Sequence, residues 1–238
     1  MASTAIVTGG TGGLGTAVVS RLLDDGWRVV VPWVVQQELE RVQKRDGLEL
    51  IQADLFEPSS VEEVVSAAAS DQDSPLRGLV NLVGGFSAAG RVHETPIDDF
   101  ERQLMLNLRA TYLMAQAVVA RLLSGADDGH LPGGRASIVC VGTRASVQPF
   151  SGAAGYIASK AAVLSFTEVM AVEYRDDGIR CNAILPSVID TPANRASMPN
   201  ADFSRWVKPE EIAGVIAFLL SSDSAPISGA EIPVYGRA

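Results

Sequence analysis

Seven short apolar runs, separated by helix-patterned segments from one end of the chain to the other, constrain this sequence more than any other feature. They are TAIVT (4–8), RVVV (28–31), LELIQ (48–52), LRGLVNLV (76–83), ASIVCVG (136–142), IRCNAIL (179–185) and AEIPV (230–234). They are rich in β-branched residues and lack sustained polar alternation, the composition of strands covered on both faces of a parallel sheet. Helical patterns fall between them, over about 16–25, 36–45, 59–70 (after Pro58), 97–123, 153–175 and 209–221. Strict β/α alternation builds a doubly wound parallel sheet of about seven strands. With 238 residues, 47% of them hydrophobic, the chain is expected to form one α/β domain over 1–238 around one buried core.

Charge and cysteine usage narrow the function classes. The net charge of -9 argues against a nucleic-acid or anionic membrane partner. Cys140 and Cys181 sit inside strand-like runs and read as buried reduced thiols, and the only histidines, His93 and His130, lie in loop-like sequence with no zinc spacing. The amino-terminal residues lead straight into a strand without a signal-type apolar segment, and no stretch is apolar enough to span a membrane, so a cytoplasmic location is expected. The longest irregular stretches are 124–135 and 190–206. The second follows a strand's carboxyl end, where ligands bind in such folds, and is expected to be a substrate lid.

Two motifs carry chemistry. TGGTGGLG (8–15) lies between the first strand and the first helix. There, Gly9, Gly13 and Gly15 allow a tight turn and close backbone approach to a pyrophosphate, and the helix N-terminus adds free N–H groups and a positive dipole end. The bland alternative is an ordinary glycine-rich βα turn. The second motif is Tyr156 and Lys160, four apart in a helical pattern and therefore on one face. A free tyrosine titrates near pH ~10. An ammonium one turn away favours phenolate, making Tyr156 a candidate general acid/base. The bland alternative is a solvated helix face. Three hydroxyls precede the pair, at Thr143, Ser146 and Ser151, with Ser151 also placed to cap the helix.

Thr8-Gly9-x-x-x-Gly13-x-Gly15, the Tyr156-x-x-x-Lys160 pair and the overall length together resemble the short-chain dehydrogenase/reductase family, over nearly the whole chain. The resemblance implies a Rossmann-type fold and an oxidoreductase transferring hydride between a nicotinamide dinucleotide (NAD or NADP) and a carbonyl or alcohol substrate. It makes Tyr156 the proton-transfer residue and Lys160 its partner. It assigns Thr143, thirteen residues before Tyr156, to the place of the family's substrate-orienting Ser, and Asn107 to that of the Asn that anchors a proton-relay water. A Thr hydroxyl donates and accepts as Ser does, while its methyl narrows the pocket. On the cofactor, the resemblance implies contacts from Thr8, Gly9, Gly13, Leu14, Gly15, Asp54, Leu55, Asn81 and Gly84 of NLVGG, Pro186, Ile189 and Thr191, besides Tyr156 and Lys160. Leu82, Val83 and Ser187 depart from the family pattern. Family members are commonly tetramers or dimers through their two long helices, so a homotetramer or homodimer is expected.

Cofactor choice and substrate are less constrained. Rossmann enzymes read the ribose at the end of the second strand, with Asp for NAD or Arg for NADP. Here VVVPWVVQQ offers neither, and Trp33 either packs on adenine or bridges surface and core. An unpaired phosphate dianion costs more than an unmet hydroxyl, which leans towards NAD. The lid stretch 185–206 and GGF (84–86) are similar to the dihydropteridine reductase branch. Phe86, Phe203 and Trp206 then either stack on a flat heterocycle or form the lid's own core. Thr143, Phe150 and Met198 favour an apolar carbonyl or alcohol instead. Reduction of a quinonoid pterin is the alternative within enzymes, and a nicotinamide-binding sensor without turnover is the alternative outside them. No G-x-S-x-G elbow supports hydrolysis.

Overall fold

In a computed structural model, which describes residues 3–125 and 134–237, all seven runs are strands: β1 (Thr4–Thr8), β2 (Arg28–Trp33), β3 (Leu48–Gln52), β4 (Leu76–Asn81), β5 (Ala136–Val141), β6 (Ile179–Pro186) and β7 (Glu231–Val234). They pair in parallel into one sheet of order β3-β2-β1-β4-β5-β6-β7. The helices are α1 (Gly15–Asp24), α2 (Pro58–Ala68), α3 (Ile97–Leu104), α4 (Ala110–Ser124), α5 (Ala154–Glu173), α6 (Pro192–Ser197) and α7 (Pro209–Leu220). Residues 126–133 of the irregular stretch at 124–135, His130 among them, lie outside the described residues.

Period-two alternation along the strands sorts the helices into layers. Ile6, Val30, Leu79 and Ile138 face α2, α4 and α5, whose Val61, Val65, Met114, Val118, Val163 and Met170 close the larger apolar layer. Ala5, Val7, Val29, Val31, Val80 and Val139 face α1 and α7, through Val18, Leu22, Ile212 and Ile216. The doubly wound expectation therefore holds. Pro32, which removes a backbone donor inside β2, is tolerated because β1 pairing ends at Ile6 and Val30, two residues earlier.

Two elements differ from the sequence expectation. The helix expected over 36–45 is only a 3₁₀ turn, Gln36–Arg41, with no buried residue. QQELERVQKR has no apolar stripe to bury, so nothing extends the turn into an α-helix. The helix expected over 97–123 runs its full length but is interrupted by a π-helical turn at Met105–Arg109. Elsewhere, a buried cation closes the sheet's far side. The Arg180 guanidinium, on β6, donates to the carbonyls of Leu219 (2.9 Å), Ser221 (3.1 Å), Ser224 (3.1 Å) and Ile227 (3.3 Å), gathering the carboxyl end of α7 and the chain behind it.

Strand order reverses between β1 and β4. In open α/β sheets ligands bind at that switch point, outside the carboxyl ends of the strands. Thr8, Asn81, Val141 and Pro186 stand at those ends.

Removing Arg180 takes one charged donor from each of four carbonyls, which keep neutral donors from Ser137, Ser224, Ile227 and Asn182; a hydrogen bond to a charged group is worth about 1.5–3 kcal/mol. Arg180→Ala is expected to lower unfolding stability by about 3 kcal/mol or more, measured by urea denaturation. Arg180→Lys should recover less than half of that, because an ammonium cannot fork among four carbonyls.

Candidate active site

The glycine-rich turn shows its purpose in what its glycines exclude. An added Cβ at Gly15 would stand 2.0 Å from the Gly9 carbonyl oxygen and 2.6 Å from Gly10 Cα, so α1 starts against β1 only if residue 15 is glycine. Gly9 itself has φ +65°, a left-handed conformation that other residues rarely adopt. Leu14 takes the position before α1, with no side-chain cap, and of the first N–H groups that of Thr16 is met by the Gly12 carbonyl at 3.0 Å. A Cβ at Gly13 would lie 3.0 Å from Thr191 Cγ2, so the 190–206 segment reaches across to this turn. Thr8, buried at the end of β1, accepts from the backbone N–H of Leu82 (3.0 Å) and Val83 (3.3 Å), fixing the strand after β4 beside the turn.

On the other side of the crevice, Asn81 ends β4. Its Nδ2 lies 3.8 Å from Cys140 Sγ, and its Oδ1 is buried with no hydrogen-bond partner. Asp54 follows β3 and is exposed, accepting from Phe56 N–H at 2.9 Å, with Leu55 buried beside it. Trp33 closes β2, half-buried. Pro186 ends β6. Ile189 offers its carbonyl to Asn194 Nδ2 at 2.8 Å, and Thr191 Oγ1 accepts from Asn194 N–H at 3.2 Å, capping α6. These residues, drawn from between Thr8 and Thr191, thus stand at or shortly after the carboxyl ends of the strands.

The proton-transfer candidates converge where β5 leads to α5. Thr143 follows β5, is buried, and accepts from Ala145 N–H at 3.3 Å. Its hydroxyl lies close enough to the Tyr156 phenol to favour the phenolate. Burial pushes the Tyr156 pKa up, and the Thr143 hydroxyl pulls the other way. Neither cause involves Lys160. Lys160 is buried and donates from Nζ to the Val141 carbonyl at 2.8 Å, and the same burial lowers its own pKa to about 8. Ser146 lies on the 3₁₀ turn after Thr143 with its Oγ buried and unpartnered. Ser151 is exposed and does not cap α5, whose N-cap is Ala153. Of the three hydroxyls, Thr143 is the one that meets Tyr156.

Asn107 sits at the centre of the π-helical turn, fully buried. A π-turn inside a helix often marks a functional site, because the extra residue re-aims a side chain. Here the amide is fully engaged. Oδ1 accepts from Gly85 N–H (3.0 Å), and Nδ2 donates to the Gly85 carbonyl (3.1 Å), the Gln103 carbonyl (3.2 Å) and Ser159 Oγ (3.0 Å). Ser159 donates in turn to the Tyr156 carbonyl at 2.8 Å. Gly84 lies between these groups. A Cβ there would come 2.5 Å from Asn107 Oδ1 and 3.0 Å from Lys160 Nζ. Gln103 and Ser159 were not singled out from sequence. The available signal was their offset from residues that were, one helical turn before Asn107 and three residues after Tyr156.

Ring contacts divide the five proposed pocket residues into two groups. Phe86 stands edge-on to Tyr156 (centroids 5.0 Å apart, 84°) and lies 6.3 Å from Phe150, both exposed. Phe203 and Trp206 pack on each other at 4.8 Å, with Arg195 over Phe203. Met198 is 38% exposed at the end of α6. Asp190 and Arg195 form a bidentate pair at 2.5 and 2.8 Å within the 190–206 segment. Among the described residues no group of His, Cys, Asp and Glu could hold a metal. No helix there is long and apolar enough to cross a membrane.

Comparison with known proteins agrees with this geometry. The family model for enoyl-(acyl carrier protein) reductase matches residues 9–236. The chain is 31% identical to dehydrogenase/reductase SDR family member 4 of Oryctolagus cuniculus, over 98% of this chain and 92% of that protein. It is 30% identical to 2-(R)-hydroxypropyl-CoM dehydrogenase of Xanthobacter autotrophicus, over 99% and 98%. Its backbone matches 3-ketoacyl-(acyl-carrier-protein) reductase from Brucella melitensis, solved with NADH, with a TM-score of 0.86 at 27% identity over 99% and 98% of the two chains.

A lysine whose folded pKa is depressed binds fewer protons than in the unfolded chain. Its burial therefore costs stability below about pH 8, and the cost fades as pH rises from about 8 towards 10.5. Lys160→Met is expected to be more stable than the parent chain at pH 7, on the order of 2 kcal/mol, and to lose most of that advantage by pH 10. Chemical denaturation at the two pH values measures it.

Proposed function

The chain belongs to the short-chain dehydrogenase/reductase family, and from that premise we propose that Tyr156 is the general acid/base of an NAD(P)-dependent oxidoreductase acting on a carbonyl or alcohol. The observation that carries this reading is the convergence of the Thr143 hydroxyl and the Tyr156 phenol after the carboxyl end of β5, beside a buried lysine.

The residues of the crevice suit a dinucleotide. The glycine turn has space that a Cβ would fill, α1 begins there without a side-chain cap, and Asn81 at the end of β4 keeps a buried, unpaired carbonyl oxygen. Thr8, Gly9, Gly13, Leu14 and Gly15 would hold the pyrophosphate; Trp33, Asp54 and Leu55 the adenosine end; Asn81, Gly84, Tyr156, Lys160, Pro186, Ile189 and Thr191 the nicotinamide end. A bound nicotinamide supplies the hydride and, when oxidised, a positive charge. NAD is favoured over NADP, because no basic side chain stands at the end of β2.

In the reductive direction Tyr156 donates its proton to the substrate oxygen, and in the oxidative direction it accepts one. Thr143 orients that oxygen, bridging it and the phenol. Lys160, with a pKa of about 8, changes charge close to working pH and can pass protons on rather than hold a fixed ammonium. Asn107 has no idle side-chain atom. Its amide sets the positions of Gly85, Ser159 and, through Ser159, Tyr156. Phe86 and Phe150 favour an apolar group next to the reacting carbon. The segment at about 190–206 acts as the lid, with Met198 at its edge and the Phe203–Trp206 pair as its filling. Quinonoid pterin reduction and a sensor without turnover are not favoured, since the relatives named above are dehydrogenases and reductases.

The long helices support self-association. Met105, Tyr112, Val169 and Val172 leave an apolar outer face on the π-turn, α4 and α5, each at least 46% exposed. A homotetramer or homodimer is proposed on that face, in a cytoplasmic setting that suits two buried free thiols.

Tyr156→Phe should lower kcat for ketone reduction by roughly 10²–10⁴-fold, with the circular dichroism spectrum unchanged. Thr143→Ser should stay active and accept bulkier ketones, whereas Thr143→Ala should fall with Tyr156→Phe. Assays with NADH and NADPH on ketones and on quinonoid dihydropterin read all three. Turnover indifferent to Tyr156→Phe would reject the proton-transfer role. Light scattering on the parent chain and on Val172→Asp tests the association face, and the substitution should shift the mass towards monomer.

A further inference from the structure

The end of β2, where a sheet of this order reads the adenosine ribose, carries Trp33 and no charge. The structure nevertheless brings a carboxylate there. Glu38, in the 3₁₀ turn Gln36–Arg41, accepts a 2.5 Å hydrogen bond from Thr11 Oγ1 through Oε2. Thr11 lies inside the glycine-rich turn, between Gly9 and Gly13, and is 4% exposed. The bond spans 27 residues and fastens the chain after β2 onto the turn after β1. Glu38 keeps 32% side-chain exposure, and its second oxygen, Oε1, is met only at 3.5 Å, by Arg41. The neighbouring Arg45 is taken up by Asp24 at 2.6 Å. The carboxylate is thus held by the glycine-rich turn, with one oxygen engaged only by the long Arg41 contact and keeping capacity to accept a hydroxyl.

We propose that Glu38 is the cofactor-specificity residue of this chain, accepting from the ribose of NAD and repelling the 2′-phosphate of NADP. The proposal rests on the reading above that the crevice binds a nicotinamide dinucleotide. It replaces the strand-end acid by one five residues further on, delivered by the 3₁₀ turn and oriented by Thr11. An α-helix over 36–45 would rotate residue 38 relative to β2, so the failure of that helix to form is part of the device. Arg41, weakly paired with Glu38, moderates the field and predicts an effect of opposite sign. A carboxylate near a phosphate dianion in a partly exposed crevice changes relative affinity by about tenfold.

The test measures dissociation constants of NADH and NADPH by fluorescence titration for the parent chain, Glu38→Gln and Arg41→Ala. Thermal melts confirm that each variant folds. The parent chain is expected to bind NADH at least tenfold more tightly than NADPH, with the gap narrowing at high salt. Glu38→Gln should shrink the ratio about tenfold, chiefly by tighter NADPH binding, and Arg41→Ala should widen it. A folded Glu38→Gln protein with an unchanged ratio, or a parent chain that prefers NADPH, would overturn the proposal while leaving the dinucleotide reading intact. Failure of the folded parent chain to bind either dinucleotide would overturn both.

Discussion

Asn107 joins three parts of the molecule that are distant in sequence. Its amide bonds both backbone groups of Gly85 after β4, the Gln103 carbonyl one turn back on α3, and the Ser159 hydroxyl on α5. The π-turn that carries it inserts one extra residue into an otherwise continuous helix, and that insertion aims the amide inward. Tyr156, Lys160 and the crevice floor at Gly84 are positioned through this one buried group. A fully satisfied buried polar network specifies a single arrangement, because every alternative strands a donor or acceptor.

The same logic explains what the sequence could and could not disclose. Strands announced themselves by apolar runs, and the glycines at 9, 13 and 15 by spacing, since those signals are local and each has one dominant physical cause. Tyr156 and Lys160 were legible for the same reason, being one helical turn apart. The π-turn left no such mark, as residues 97–123 carry an ordinary helical pattern and the interruption is forced by packing. The segment after β2 misled in the other direction. Its polarity suits an exposed helix, yet without a stripe to bury it stopped at a 3₁₀ turn. The Thr11–Glu38 bond joins residues with no periodic relation and belongs to tertiary structure alone.

Electrostatics at the Tyr156–Lys160 pair depends on burial as well as on proximity. Proximity along a helix suggested that an ammonium would draw the phenol towards phenolate. Burial acts on both groups at once and opposes charge on each. The lysine answers by turning to the Val141 carbonyl, and the phenol lies beside the Thr143 hydroxyl. A pair of groups both reluctant to ionise suits reversible chemistry better than a permanently charged one, since either direction requires a proton to move and neither state is trapped.

The sheet is unevenly clothed. β4, β5 and β6 are almost wholly buried, whereas every residue of β3 is at least partly exposed, and Val34 and Val35 beside the 3₁₀ turn are 59% and 50% exposed. Local opening concentrates where few apolar contacts oppose it. The molecule therefore has a well-covered half, which under the proposed function aligns the reacting atoms, and a thinly covered half, which would meet the nucleotide's tail. Mutations on the thinly covered side can then retune which nucleotide is accepted without disturbing the alignment, so the two properties can diverge independently over evolutionary time.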